Sequence, residues 1–380
     1  MAIKRLVITK LFGQFDYDIP LDNPEGLKIL TGPNGYGKTA VLNIIDSIVN
    51  NNFGFFYTLP FECITLFFED NVKLMVYKNN AARIIHLTFK NNIDIIEVDI
   101  NVKAAAEVIY TSKIIQELQK NKVYFIKEQR LFDRTHEKGV LFSINECQKQ
   151  LKSKIESYIQ FSETKRNELD ATFPMRLLEN NKELSENDYN KRFESVSAKQ
   201  HKLKYYGLAD FELKIPNYTK EGAKILSAYL DDIEEKLAIY DGLVEKLNIF
   251  TQFIEKRVFT NKSIHINKTK GFIFKISYGT KTEELALSDL SSGEQHQIIL
   301  LFELIFNLES GSIVLIDEPE ISLHVAWMRM FISDLLEILK LHNAQAIVVT
   351  HSPQIIDVHS NLQYDLYAAQ NNKKEVANAD

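Results

Sequence analysis

The stretch ILTGPNGYGKTAVLNII, Ile29 to Ile45, limits the fold more than any other part of the chain. An apolar run ending at Thr31 leads into Gly32, four further residues, then Gly37, Lys38 and Thr39, and an apolar run with helical spacing follows. Glycines at these steps let a loop close so that its N–H groups point at one anion, and the helix behind it adds the positive end of its dipole. Strand, glycine loop and helix in this order predict an α/β unit built to hold a triphosphate. The backbone of Gly32, Pro33, Asn34, Gly35, Tyr36, Gly37 and Ala40 is then the cradle. Lys38 bridges the β- and γ-phosphates, and the Thr39 hydroxyl is a ligand for Mg2+.

A phosphate cradle needs a carboxylate partner, and SIVLIDEPE supplies one. Four apolar residues, Ile313 to Ile316, suit a strand buried on both faces and deliver Asp317 and Glu318 to its tip. Asp317 is the expected holder of Mg2+ through water, and Glu318 the general base that polarises the attacking water. A second apolar strand, Ala346 to Thr350, ends on His351, placed to sense the γ-phosphate. Between the loop and the acids lies LSDLSSGEQHQIILLFELI, in which Ser291, Ser292, Gly293 and Glu294 stand before an apolar helix. Such a helix start binds anions, although the same residues would equally serve as an ordinary N-cap.

Strand patterns are predicted at Arg5–Ile8, Phe15–Leu21, Leu27–Thr31, Cys63–Phe68, Val72–Tyr77, Ile84–Phe89 and 93–100, the later ones as antiparallel hairpins beside the nucleotide site. Three regions follow: residues 1–142, a helix-favouring insertion over 143–258, and 259–380. Breaks are expected in the insertion at Pro174, Gly207 and Pro216. Leu230, Ile233, Leu237, Tyr240, Val244, Leu247, Thr251, Ile254 and Val258 form a heptad seam. As one helix it would be an arm roughly 43 Å long, packed on a neighbour such as Ile144–Tyr158. In the insertion, Lys191, Arg192, Lys199, Lys202 and Lys204 precede Tyr205 and Tyr206, a pattern that makes nucleic acid a candidate partner.

Composition sets limits on this scheme. With 45% hydrophobic and 25% charged residues in 380, the chain has enough apolar material for a large core. A net charge of -6 argues against a globally basic nucleic-acid coat. Two widely separated cysteines, Cys63 and Cys147, carry no metal-ligand spacing and fit a reducing, cytoplasmic compartment. No apolar run approaches membrane-spanning length, and the start alternates as a strand does.

The order of these motifs, GPNGYGKT, LSSGEQ, IVLIDEP and THS, resembles the ABC-type ATPases, and within them the soluble branch of RecF, the SMC proteins and the OLD-like ATPases. The resemblance covers about the first 140 residues and everything from Phe259 on. It implies an ABC-type P-loop ATPase head, a mixed sheet with flanking helices plus an antiparallel β-subdomain, carrying an inserted helical lobe. It also implies ATP and Mg2+ as cofactors, and a homodimer or higher even-numbered oligomer in which Ser291, Ser292 and Gly293 of one subunit close on the γ-phosphate held by the other. A glutamine after a strand contacts Mg2+ in this family, and Gln129, next to Arg130, matches by position. PEISLH, Pro319 to His324, is similar to the OLD-like and related defence ATPases, with Ser322 and His324 as cross-subunit contacts. OLD-like proteins continue into a TOPRIM nuclease, for which the 29 residues after His351 leave no room. The expected role is therefore a switch that regulates a separate effector, a nuclease subunit of an anti-phage system. A RecF-like DNA-repair ATPase that binds DNA directly is the alternative.

Overall fold

The computed structural model describes residues 2–79, 84–92, 95–101, 122–127, 143–208, 216–257, 261–323 and 325–377. Gln129, Arg130, Val258 and His324 lie outside them. The chain divides into two compact units, one of residues 1–134 with 307–380 and one of residues 135–306. The expected α/β fold is the one observed.

In the first unit, β1 (Ile3–Leu11), β2 (Phe15–Pro20), β4 (Cys63–Phe68), β5 (Lys73–Asn79), β6 (Ile84–Lys90) and β7 (Ile95–Asn101) form an antiparallel sheet in the order β2-β1-β4-β5-β6-β7. Its strands alternate buried and exposed positions, as in β4 and β6, because only one face meets the core. A second sheet is wholly parallel: β14 (Gln363–Asp365), β3 (Leu27–Thr31), β13 (Gln345–Val349), β12 (Ile313–Asp317) and β8 (Val123–Ile126), in that order. Every residue of β12 is buried, as its unbroken apolar run requires. Helix α1 (Lys38–Val49) shares one core with both sheets, burying Val41, Leu42, Ile44, Ile45 and Ile48 among side chains such as Leu6, Ile64, Leu315 and Val349. The glycine loop is thereby held between a buried strand and a buried helix.

The second unit begins with α2 (Ile144–Glu179), capped by the Ser143 hydroxyl, which accepts from Glu146 N–H. Pro174, expected to end this helix, sits inside it. Proline removes one donor but does not stop a helix whose flanks are tied down. Here Arg176 bonds the Leu169 carbonyl (2.7 Å) and Asp232 (2.5 Å), while Lys236 reaches Asp170 (2.5 Å). Helix α3 (Glu186–Tyr205) does stop at Gly207, whose φ of 64° allows the two reverse bonds Leu208 N–H to Leu203 O and Gly207 N–H to Lys204 O.

The heptad seam is not one helix. It is divided into α4 (Ala223–Ala238) and α5 (Asp241–Lys256), with a turn at Ile239 and Tyr240 just before the weak helix formers Asp241 and Gly242. Leu230, Ile233, Leu237, Leu247 and Ile254 of the seam are buried within this unit. The long arm is thus two shorter helices, with α4 against α2 and α3. Strands β9 (Lys262–Asn267), β10 (Gly271–Tyr278) and β11 (Lys281–Leu285) form an antiparallel sheet in the order β11-β10-β9, and α6 (Ser292–Phe302) follows. The last helices of the first unit are α7 (Val325–His342) and α8 (Leu366–Ala377). Among the described residues no helix is long and apolar enough to cross a membrane.

Candidate nucleotide site

The glycine loop leaves β3 at Thr31 and enters α1 at Lys38, with φ of 142° at Gly32, 86° at Gly35 and 84° at Gly37. These angles lie where a side chain brings strain. A Cβ at Gly37 would also stand 2.8 Å from Leu11 Cδ2, so the loop can close only around a bare backbone there. At Gly35 a Cβ would meet nothing within 4 Å, and Pro33 and Asn34 are exposed, so this side of the loop is open. Buried Tyr17 donates its hydroxyl proton to the Tyr36 carbonyl (2.7 Å), and the Tyr36 ring lies between Phe15 and Tyr367. The loop is therefore pinned at its middle.

Lys38 is buried, and its Nζ donates to the carbonyls of Gly32 (3.0 Å) and Pro33 (3.2 Å). Those oxygens occupy its donors as phosphate oxygens would. Burial pushes the Lys38 ammonium below its ordinary value, opposed by the charges of Glu318, Asp317 and Glu320. Lysine, loop and acids are thus one electrostatic cluster, and an anion placed on the loop would favour the ammonium further. Thr39 is exposed at the start of α1, and Ala40 is half-buried behind it.

Parallel pairing brings the acid and histidine strands to the same edge, with Asp317 opposite Val349. Asp317 is buried, whereas Glu318 turns out of the strand with φ 46° and ψ 59°, its N–H held by the Val349 carbonyl (2.9 Å). That backbone turn points the Glu318 side chain at His351, whose Nε2 is 3.5 Å from Oε1. Lys38, Asp317, Glu318 and His351 are brought together. A further acid at this edge, not among the residues expected from the motifs, is Glu320, which accepts from the Thr350 hydroxyl (2.8 Å) and the His351 N–H (2.7 Å). Its only local signal is the repeated acid in DEPE.

Donor chemistry fits a nucleotide with a divalent cation. Backbone N–H groups, a buried ammonium and an exposed hydroxyl on the loop share the sheet edge with a buried carboxylate at the tip of β12, one strand removed from β3. Gln129 and His324 lie outside the described residues.

In the second unit the start of α6 is an N-cap and an open surface at once. The Ser291 hydroxyl accepts from Glu294 N–H, and the Glu294 carboxylate accepts from Ser291 N–H (2.7 Å), a reciprocal capping box. Glu294, expected among the nucleotide contacts, instead turns back to its own helix start and to Lys262 (2.9 Å to both oxygens). A carboxylate aimed at a phosphate would repel it, so this inward turn clears the helix end for an anion. Ser291 and Ser292 are exposed, and a Cβ at Gly293 would meet nothing within 4 Å.

Two of the five cations in the basic segment of α3 are committed within their own unit. Arg192 forks onto Glu234 (2.8 Å to each oxygen) and Asp231 (2.6 Å), and Lys199 pairs with Asp241 (2.6 Å). Tyr206 is buried with its hydroxyl on Asn248 (2.5 Å), which corrects its expected role in stacking bases; Tyr205 is exposed.

A family model described as the AAA ATPase domain matches residues 1–356. Among solved structures, the chain is similar to an Smc head domain with an extended coiled coil, bound to the C-terminal domain of ScpA and derived from Pyrococcus furiosus. Identity there is 14% with a TM-score of 0.42, covering 93% of this chain and 90% of that one. An SmcHead bound to the C-winged helix domain of ScpA gives 11% identity and a TM-score of 0.43, covering 94% and 92%. Likenesses this distant carry no conclusion about chemistry. No curated protein matches the sequence.

Proposed function

The chain belongs to the AAA ATPase domain family, and from that premise we propose that it is a Mg2+-dependent ATPase switch that dimerises around ATP and regulates a separate effector protein. The observation that carries this proposal is the cluster of Lys38, Asp317, Glu318 and His351 at one edge of the parallel sheet, beside a loop shaped for phosphates. Lys38 and the loop N–H groups bind the triphosphate, with Thr39, Asp317 and Gln129 holding the cation. The chemistry such a cation would supply is neutralisation of charge on the phosphate oxygens. Glu318 takes a proton from the attacking water at its carboxylate, and His351 orients that carboxylate and meets the γ-phosphate.

Ser291, Ser292 and Gly293 complete the site of a second copy. What supports this is their exposure and the open space at Gly293. An effector of the nuclease class in an anti-phage system is our choice of partner, on the motif resemblance. A RecF-like role in direct DNA binding is the weaker alternative, since two of the five cations in the α3 segment are paired with acids of the same unit. In function we group residues 1–142 and 259–380 as the ATPase head and 143–258 as the inserted lobe. Free thiols at Cys63 and Cys147 support a cytoplasmic setting.

Turnover and nucleotide binding test the catalytic part together. Lys38→Ala is expected to lose MgATP binding, whereas Glu318→Gln binds MgATP and hydrolyses it at least about a hundredfold more slowly. Wild-type turnover in Glu318→Gln would remove that residue from the role of base.

A further inference from the structure

The ends of β12 and β13 are tied to each other in both directions. From the acid strand, Glu318 N–H donates back to the Val349 carbonyl (2.9 Å). From the histidine strand, the Thr350 hydroxyl and the His351 N–H both donate to one oxygen of Glu320, in the short turn Pro319–Ser322 that follows the acids. Thr350 is fully buried, and its Oγ1 also accepts from Ser352 N–H (3.0 Å). The backbone on both sides of the Glu318–His351 contact is therefore fixed, although the His351 ring itself is more than a third exposed.

Apart from its charge near Lys38, Glu320 has no part in the roles given above. A merely solvent-facing acid after a strand would not take two donors from the neighbouring strand's end, and those donors belong to the residues that set where the His351 ring starts. Resting on the ATPase reading, we propose that Glu320 is a positioning residue: through Thr350 and the His351 N–H it holds the His351 ring against Glu318, so that the base faces its water in one orientation. In this role it acts through those two donors and not on the nucleotide itself. Its loss should therefore impair the chemical step and leave nucleotide affinity alone, because a displaced catalytic group loses rate without losing ground-state contacts.

Two readouts on the full-length chain decide this: amide hydrogen exchange at His351 without nucleotide, and MgATP affinity with turnover. Glu320→Ala is expected to speed His351 exchange by about tenfold or more as the bond is lost. It should lower kcat by about ten- to a hundredfold with the MgATP dissociation constant within about twofold. Glu320→Gln keeps a carbonyl acceptor and is expected to restore both readouts to within about threefold of wild type. Thr350→Val removes one donor in a side chain of the same shape and should move both readouts the same way by less. It decides the matter if Glu320→Ala does not fold.

Unchanged exchange, faster exchange with unchanged kcat, a loss of MgATP affinity equal to the loss of rate, or Glu320→Gln as defective as Glu320→Ala would each overturn the proposal. A wild-type chain that neither binds nor hydrolyses MgATP would remove the ATPase reading and this role with it, while exchange still reports whether the anchor exists.

Discussion

At Glu318 the backbone enters the left-handed region, at φ 46° and ψ 59°, where a residue with a Cβ is strained. Straight continuation of β12 would send the side chain to the sheet face opposite that of Asp317; the turn instead presents it to His351. This conflict between backbone comfort and side-chain direction makes a stability prediction independent of catalysis. Glu318→Gly should be more stable than Glu318→Ala by about 1 kcal/mol, read by denaturant unfolding, because glycine relieves the left-handed strain that alanine keeps. Both should be inactive. Equal stability of the two variants would mean that the turn stores no strain. At this scale the sequence was informative where chemistry is carried by short motifs, as at Lys38, Asp317 and His351. It was silent on Glu320, whose contacts join positions 30 and 31 residues apart across two strand ends.

Elements follow local rules until packing overrides them. The strand and helix around the glycine loop were legible because apolar runs, glycines and a helical period agree. Pro174 and the heptad seam misled for opposite reasons. Bonds to Asp232 and Lys236 of α4 hold α2 past its proline, and a turn at Ile239 and Tyr240 divides a seam whose apolar spacing continues unbroken.

The start of α6 shows an element whose geometry depends on one carboxylate. Burial would raise the Glu294 carboxyl, but the Lys262 ammonium, the Ser291 N–H and the Ser291 hydroxyl outweigh that and hold it below its ordinary value of 4.5. A lowered folded-state value stabilises above the unfolded value and ceases to as pH falls through the folded one. Glu294→Ala should therefore cost about 1 kcal/mol near neutral pH. Its difference from wild type should shrink below pH 4.5. A difference that stays constant across that range would point to packing instead of charge.

Strand β10 carries a second test. Gly271 has φ 90°, and a Cβ there would come within 2.2 Å of the Gln148 carbonyl oxygen on α2. Gln148 also donates to the Phe272 carbonyl (2.6 Å), which keeps strand and helix at this distance. Gly271→Ala combines left-handed strain with a backbone clash and should destabilise the chain by about 3 kcal/mol or more in thermal or denaturant unfolding. A cost below about 1 kcal/mol would show that α2 yields easily.

For the whole molecule, the sequence order interleaves the pieces of the site with the helical insertion, and the fold sorts them into two compact units. The phosphate loop, acids and histidine are in one, and Ser291, Ser292 and Gly293 are in the other. Motif order pointed to Lys38, Asp317, Glu318 and His351, which the first unit brings together. It could not foretell that 261–306 cluster with the helices, since that depends on β10 lying against α2 and not on any local pattern. The central claim is that each nucleotide site is completed by a second copy. It is tested most directly by mixing Lys38→Ala chains, which cannot hold ATP, with Ser291→Arg chains, whose helix start is blocked. Each alone should be inactive, and a mixed dimer rebuilds one intact site, so an equal mixture should recover about a quarter of wild-type MgATP turnover. An equal mixture that stays inactive while mixed dimers are present, or full turnover by a strictly monomeric wild-type preparation, would contradict the shared site.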